Sequence, residues 1–420
     1  MNAKKGFTRR GFIKGAAATA GALALPWGRA NAAAVERKFL FLFASGGWDV
    51  CQVFESKFGA SGVDMDPDTV PGRIGDIDFV DGPLQAAVGY YFGRWGHLSA
   101  IVNSIDSHSV GHGSCTQFML TGTSADNSPD WPTILASSSV GDYPLPQIVF
   151  SGPSFPGPSG EVVVRGGDGT ILDLIDGSIV GRSDRPAPVM SPPADSMVDA
   201  AVHARMARYA AGRTGGGRER ADALITAVER SMELEGRRFE AGLNRGGGGL
   251  YDRAAVAIDA MRFGLCRTAT VAVGFGWDTH GNNDPQETNF QAVFTDLDLI
   301  MEKLATTPGL VSEWLIDEVV VVMMSEMGRT PRYNGSMGRD HWPYTSALVA
   351  GSGVKGNQVI GASDDGMVAQ PIDFKTGKAS ASGDVLACES FGAGLLTLGG
   401  VDSNRYFSGV QPLRALLRSG

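Results

Sequence analysis

The sequence predicts an α/β protein with a mostly parallel sheet held between helical layers. Three observations point there: short runs that are apolar on both faces, helical patterns between them, and abundant glycine. The runs are Lys38–Ala44, Ala100–Asn103, Gln147–Ser151, Ala269–Phe275, Glu318–Met324 and Ser346–Ala350, each bounded by Gly, Asp or Ser. Strands buried on both faces lose the polar alternation of a half-exposed sheet, so such Val- and Phe-rich runs read as central parallel strands. Lys38–Ala44 (KFLFLFA) is the purest of them and is expected near the middle. Helical patterns occupy Leu84–Trp95, the proline-free stretch 195–242, Glu287–Ala305 and Asp384–Leu398. Alternation of strand and helix packs helices on the sheet. The 58 glycines imply many tight turns rather than a helical bundle. Arg182–Pro193 and the Gly-rich stretches 213–218 and 245–249 read as punctuation, so 181–250 is expected to be an exposed helical insertion.

The N-terminus carries an address. Thr8-Arg9-Arg10-Gly11-Phe12-Ile13-Lys14, an apolar run from Ala16 to Leu25 and Ala30-Asn31-Ala32 fall in the order of a twin-arginine signal peptide over 1–32. This route exports folded proteins, so the mature chain 33–420 is expected in the periplasm or outside the cell, with the twin-arginine machinery as a partner. The signal holds six basic residues and no acids, so its removal takes the formal charge from −9 to −15. An acidic chain disfavours nucleic acid as the main partner and tolerates cations. No later segment approaches the roughly 18 apolar residues of a membrane span. Cys51, Cys115, Cys266 and Cys388 show no Cys-x-x-Cys spacing, which argues against a zinc-thiolate site.

In an open α/β sheet, ligands bind beyond the carboxyl ends of the strands. Ser45-Gly46-Gly47-Trp48-Asp49 follows the first run, and His108 to His112 follow the second. Gly276-Trp277-Asp278-Thr279-His280 follows a third. Ser325-Glu326-Met327-Gly328-Arg329 and then Gly338-Arg339-Asp340-His341 follow the fourth. Imidazole and carboxylate delivered together suit a divalent cation, with imidazole favouring Zn or Mn over Mg or Ca. His97 and His203 carry no such context and are given no role.

The motifs Gly-Gly-Trp-Asp, Gly-Trp-Asp-Thr-His-Gly-Asn, Ser-Glu-Met-Gly-Arg-Thr-Pro and Gly-Arg-Asp-His-Trp-Pro, in this order, resemble the exported bacterial family called domain of unknown function 1501. That family in turn resembles the alkaline phosphatase and sulfatase superfamily. The resemblance implies a three-layer sandwich and a metal-dependent ester hydrolase ancestry. It implies that one metal is held by some of Asp49, Asp278, His280, Glu326 and His341, and at least four of these and His112 are expected close enough to share a cation. It also puts the nucleophile slot on His112, where a hydroxyl or thiol is usual, and Met327 where an imidazole is usual. His112 is then a ligand of a rearranged single-metal site, a nucleophile or a general base. Ser107, Ser109 and Ser114 are nearby hydroxyls out of register. Arg329 and Arg339 either fork onto a phosphate or sulfate or form salt bridges with neighbouring acids. Met327 is expected to pack against apolar groups, and His108 to lie just outside the site.

Two functions follow. One is a metal-dependent hydrolase of a phosphate or sulfate ester, with a small-molecule or glycan substrate. The other is a catalytically retired, metal-stabilised exported protein that binds a glycan, surface component or partner.

Overall fold

The structure, a computed structural model, describes residues 35–166, 191–237 and 248–418. The predicted signal peptide 1–32 lies outside the described residues, as do 181–190 and 238–247 of the predicted insertion. In chain order the strands are β1 (Lys38–Ala44), β2 (Val70–Ile74), β3 (Ile77–Asp81), β4 (Ser99–Asp106), β5 (Gln147–Val149), β6 (Val163–Arg165), β7 (Thr268–Val273), β8 (Val319–Ser325), β9 (Gly328–Arg329), β10 (His341–Trp342), β11 (Tyr344–Gly351) and β12 (Gln358–Ile360). The helices are α1 (Ala86–Trp95), α2 (His112–Thr121), α3 (Trp131–Ser137), α4 (Pro192–Ala211), α5 (Gly216–Arg237), α6 (Leu250–Arg262), α7 (Pro285–Thr306) and α8 (Cys388–Leu398).

Eight strands form one sheet in the order β12-β4-β11-β8-β1-β7-β5-β6, and β2-β3 and β9-β10 form two small hairpins. β1 lies between β8 and β7, parallel to both, so the run expected in the middle is there. All seven of its residues are buried. Phe39, Phe41 and Phe43 enter one core with α3 and α8, whereas Leu40 and Leu42 enter the other with α6 and α7. That split is the two-residue period of a strand. Each fully buried Phe or Leu contributes about 1.5–3 kcal/mol, so a strand apolar on both faces is committed to the interior.

One expectation is corrected. The run at Ser346–Ala350 belongs to β11, which pairs antiparallel with both β4 and β8. Its burial on both faces gives it the same apolar signature as its parallel neighbours, so periodicity alone does not report direction. The reversal matters for the site. It sets the N-terminal end of β11, just after His341, at the edge where β1, β4, β7 and β8 end: Tyr344 pairs with Asp106, and Ala44 with Ser325 and Val273.

The helices follow their sequence signals. α7 opens on Pro285, whose missing N–H costs nothing in a first turn. It buries Phe290, Val293, Phe294, Leu297, Ile300, Met301 and Leu304, the stripe of an amphipathic helix. α2 stops at Gly122, which takes a left-handed φ of +68°. A Cβ there would sit 2.7 Å from the Trp131 ring, so both conformation and space require glycine. Within 191–237, α4 and α5 pack against each other.

Glu287, in the first turn of α7, is only 6% exposed. Burial, then the charge and hydrogen bond of Asp66, push its pKa up to about 7 from an ordinary 4.5. A carboxyl that holds its proton more tightly in the folded state stabilises the fold fully below pH 4.5. That contribution is lost as pH rises through about 7. In Glu287→Gln the urea midpoint should therefore fall less between these values than in the parent. An unchanged slope would remove Glu287 as its source.

Candidate metal centre

The turn after β1 is made by Gly46 and Gly47, with φ of +123° and +79°. A Cβ on Gly47 would lie 2.8 Å from Met327 Cγ. The close approach brings the loops after β1 and β8 together and seals Met327 in the interior, fully buried. As a thioether it is a poor ligand for a hard cation in any case.

Around this turn the structure gathers Asp278, His280, His112 and His341. Nε2 of His280 lies 2.9 Å from Nε2 of His341. Asp278 Oδ1 stands 3.1 Å from His280 Nε2 and 3.3 Å from His341 Nε2. Asp278 Oδ2 stands 3.4 Å from His112 Nε2. Behind each ring, Nδ1 meets an oxygen: Asp340 Oδ1 for His280 at 2.9 Å, the Val110 carbonyl for His341 at 2.7 Å, and Glu326 Oε1 for His112 at 2.9 Å.

Those back contacts decide the protonation pattern. A carbonyl or carboxylate oxygen accepts, so each Nδ1 carries the hydrogen, and in a neutral ring the inward Nε2 is then a lone pair. The His280 and His341 lone pairs and the Asp278 carboxylate meet across 2.9–3.3 Å, and the His112 lone pair meets that carboxylate at 3.4 Å. One donor atom each from His112, Asp278 and His341 falls within 4.8 Å of the others. A cation among them relieves that repulsion. Donors about 2.0–2.1 Å from one tetrahedral ion lie about 3.3 Å apart, so the spacing fits a divalent metal. Nδ1 anchored by an oxygen is also the usual support of a metal-binding histidine.

Burial tends to raise the Asp278 pKa. The hydrogen bond and charge of Arg329, joined by His341 and His112 wherever those rings are protonated rather than neutral, outweigh it and bring it down to about 2. Hydrogen bonds from His280 and Asn334 likewise lower that of Asp340. Both carboxyls are therefore ionised at neutral pH.

The remaining site expectations are redistributed. Glu326, 1% exposed, accepts from His112 and from the Gly46 N–H at 2.7 Å, so it orients His112. Asp49 is fully buried and occupied elsewhere. Its Oδ2 pairs with Arg339 Nε at 3.0 Å and accepts from Asn283 at 2.7 Å, and its Oδ1 caps the Cys51 N–H. Asp49, one of the candidate ligands, is not among the side chains brought together here: its carboxylate neutralises a buried guanidinium. Of the two readings of Arg329 and Arg339, the geometry matches the ion-paired one. Arg329 spends its fork on the carbonyls of Gly46, Gly47, Trp277 and Arg339 and on Asp278 at 2.7 Å. Arg339 bonds the carbonyls of Asp64, Thr330 and Pro331. Both are at most 1% exposed, so neither faces a substrate; they position the loops. The supports Asp340 and Val110 received no role from sequence. The only signal for Asp340 was its place beside His341, and a backbone carbonyl gives none.

An open cavity of about 580 Å³ adjoins the cluster, lined by Ser45, Gly46, His112, Gly113, Thr116, Phe155, Asp278 and Glu326. His112 is the first residue of α2, so the unpaired first-turn N–H groups of that helix lie at this cavity.

Fold and site together define an α/β sandwich with an imidazole–carboxylate cluster at the carboxyl edge of its sheet. The chain belongs to the family described as Protein of unknown function (DUF1501), whose profile matches residues 96–412. No curated protein sequence matches it. Among solved structures it is similar to a protein of the alkaline phosphatase superfamily from Vibrio parahaemolyticus, at 10% identity and a TM-score of 0.37, over 87% of this chain and 67% of that one. A 2-O GAG sulfatase is similar at 12% identity and a TM-score of 0.34, over 87% and 71%. A mutant of TAB5 alkaline phosphatase with Mg bound is similar at 11% identity and a TM-score of 0.33, over 78% and 94%.

Proposed function

We propose that this chain is an exported hydrolase of phosphate or sulfate esters that works with one divalent cation. Nε2 of His112, His280 and His341 and the carboxylate of Asp278 would hold it. The observation that carries the reading is the set of inward lone pairs, each fixed by an oxygen behind its ring. When bound, the cation supplies Lewis acidity toward an ester oxygen. An imidazole-rich set suits Zn or Mn, whereas Mg or Ca prefers oxygen ligands.

The chain's own residues do the rest. Glu326, Asp340 and the Val110 carbonyl hold the tautomers. The cavity beside His112 and Phe155 receives the ester, and the first turn of α2 favours its negative charge. His112 has both nitrogens committed, which favours solvent water over His112 as nucleophile.

The test is a panel of aryl phosphate monoesters, aryl phosphate diesters and aryl sulfates. Chelator-stripped protein, reloaded with Zn²⁺ or Mn²⁺, should hydrolyse at least one class only when loaded. Loaded protein that releases no phenol from any of them would favour the retired binding protein.

Export by the twin-arginine route to the periplasm or beyond is part of the same proposal. Its support is the Thr8–Lys14 motif, and a site loaded before export gives a physical reason to use it. Replacing Arg9 and Arg10 together by Lys should strand the precursor in the cytoplasm. Normal processing of that variant would show that ordinary secretion handles the chain.

A further inference from the structure

A second cluster of ligand-type side chains stands where β4 ends and α8 begins. Asp106 closes β4, and its N–H bonds the carbonyl of Leu386, which ties that strand end to the chain entering α8. His108 follows two residues later. Cys388 and Glu389 are the first two residues of α8. Nε2 of His108 lies 2.9 Å from Glu389 Oε2, and Cys388 Sγ lies 3.3 Å from the same oxygen. One donor atom from each of the three falls within 4.8 Å of the others.

Sulfur, imidazole and carboxylate on that spacing are the donor set of a zinc site with three protein ligands and one open position. The surroundings have the order of such a site. Asp106 Oδ2 stands 3.7 Å from His108 Nδ1, outside hydrogen-bond reach but on the side away from Glu389. The Phe118 ring holds the imidazole edge-to-face at 5.3 Å. His108 itself has a φ of +58°, uncommon for a residue with a side chain, and Asp106 Oδ1 fixes it by accepting its N–H at 2.8 Å. Cys388 is buried, whereas His108 and Glu389 are about one-third exposed, at 35% and 28%, so the open side faces solvent.

We propose that His108, Cys388 and Glu389 form a second, sulfur-containing site for a zinc-class divalent cation, distinct from the His112–Asp278–His280–His341 cluster. On binding, the Cys388 S–H bond breaks, its proton leaves to solvent and the thiolate becomes a ligand; nothing is oxidised or reduced. The loop 107–112 carries His108 at one end and His112 at the other, with Val110, the oxygen behind His341, between them. Filling the second site therefore orders the loop that serves the first.

The two sites are separable by their donors, because only the second contains sulfur. Stripped full-length protein titrated with Co²⁺ should take up two equivalents and develop a thiolate-to-cobalt charge-transfer band in the near ultraviolet. Cys388→Ser should lose the band and one equivalent. His108→Gln, a change at a one-third-exposed position that leaves the buried thiol in place, should weaken the same equivalent by about 100-fold. Asp278→Ala should keep the band while losing the other equivalent. If wild-type protein shows no band, and His108→Gln binds as wild type does, the second site does not exist. A band that survives in protein whose first cluster takes no cation would instead sink the proposed function and leave this site standing.

Discussion

Asp278→Ala should abolish the difference in melting temperature between cation-loaded and chelator-stripped protein. Among the described residues, Asp278 is the one carboxylate that reaches all three inward-facing imidazoles, at 3.1, 3.3 and 3.4 Å. Its loss removes the only negative ligand and is expected to weaken the cation by more than the roughly 10–100-fold that loss of a supporting residue costs. A ligand at 100 times its dissociation constant stabilises the folded state by about 2.7 kcal/mol, and that increment should vanish. The stripped variant should melt below stripped wild type, because buried Arg329 loses its carboxylate partner. The quantity compared is therefore the loaded-minus-stripped difference within each protein. Arg329 keeps its carbonyl partners at Gly46, Gly47 and Trp277 in the variant, so the loop scaffold survives. Differential scanning fluorimetry with and without Zn²⁺ reads both quantities. A variant still stabilised as strongly as wild type would show that the cation binds elsewhere, and the Co²⁺ band separates a contribution from Cys388.

Arg339→Met should be the most destabilising single change near the site, at about 3–5 kcal/mol. Asp49 and Arg339 are 0% and 1% exposed and lie 3.0 Å apart. Asp49 raises the Arg339 pKa despite burial, so the guanidinium keeps its charge at any workable pH. Removing the guanidinium leaves a carboxylate in the interior with Asn283 and the Cys51 N–H as its remaining donors. An uncompensated buried charge costs far more than the pair was worth. Asp49→Asn together with Arg339→Met should recover much of the loss, because it removes both charges. Urea unfolding of the two single variants and the double variant measures the coupling. Additive losses would mean that the two side chains do not act as a pair.

The strands were legible because burial on both faces leaves a local mark: β1, β4, β7 and β8 each carry it within a few residues. The strand ends were legible for the same reason, so His112, Asp278, His280 and His341 could be placed on one edge. The direction of β11 left no such mark. The roles of Asp49, Arg329 and Arg339 were not legible either. A buried arginine and an arginine that grips an anion look alike in sequence. What separates them here are partners far along the chain: Asp49 for Arg339, and the carbonyls of Gly46, Gly47 and Trp277 for Arg329. Glu326 was read as a ligand because a carboxylate after a strand has that chemistry. Only its distances to His112 and the Gly46 N–H show that it stands behind an imidazole. Cys388 and Glu389 carry no sequence signal of a site because their histidine lies some 280 residues away. No spacing motif spans that interval.

The central claim is that one cation sits among four named side chains, and a crystal structure of Zn²⁺-loaded protein with anomalous diffraction tests it most directly. The account predicts an anomalous peak bonded by Nε2 of His112, His280 and His341 and by an Asp278 oxygen, at about 2.0–2.2 Å. Asp49 should remain on Arg339, and Glu326 should remain on Nδ1 of His112. A loaded structure with no peak among these four, or with Asp49 or Glu326 on the ion in place of His112, would contradict it.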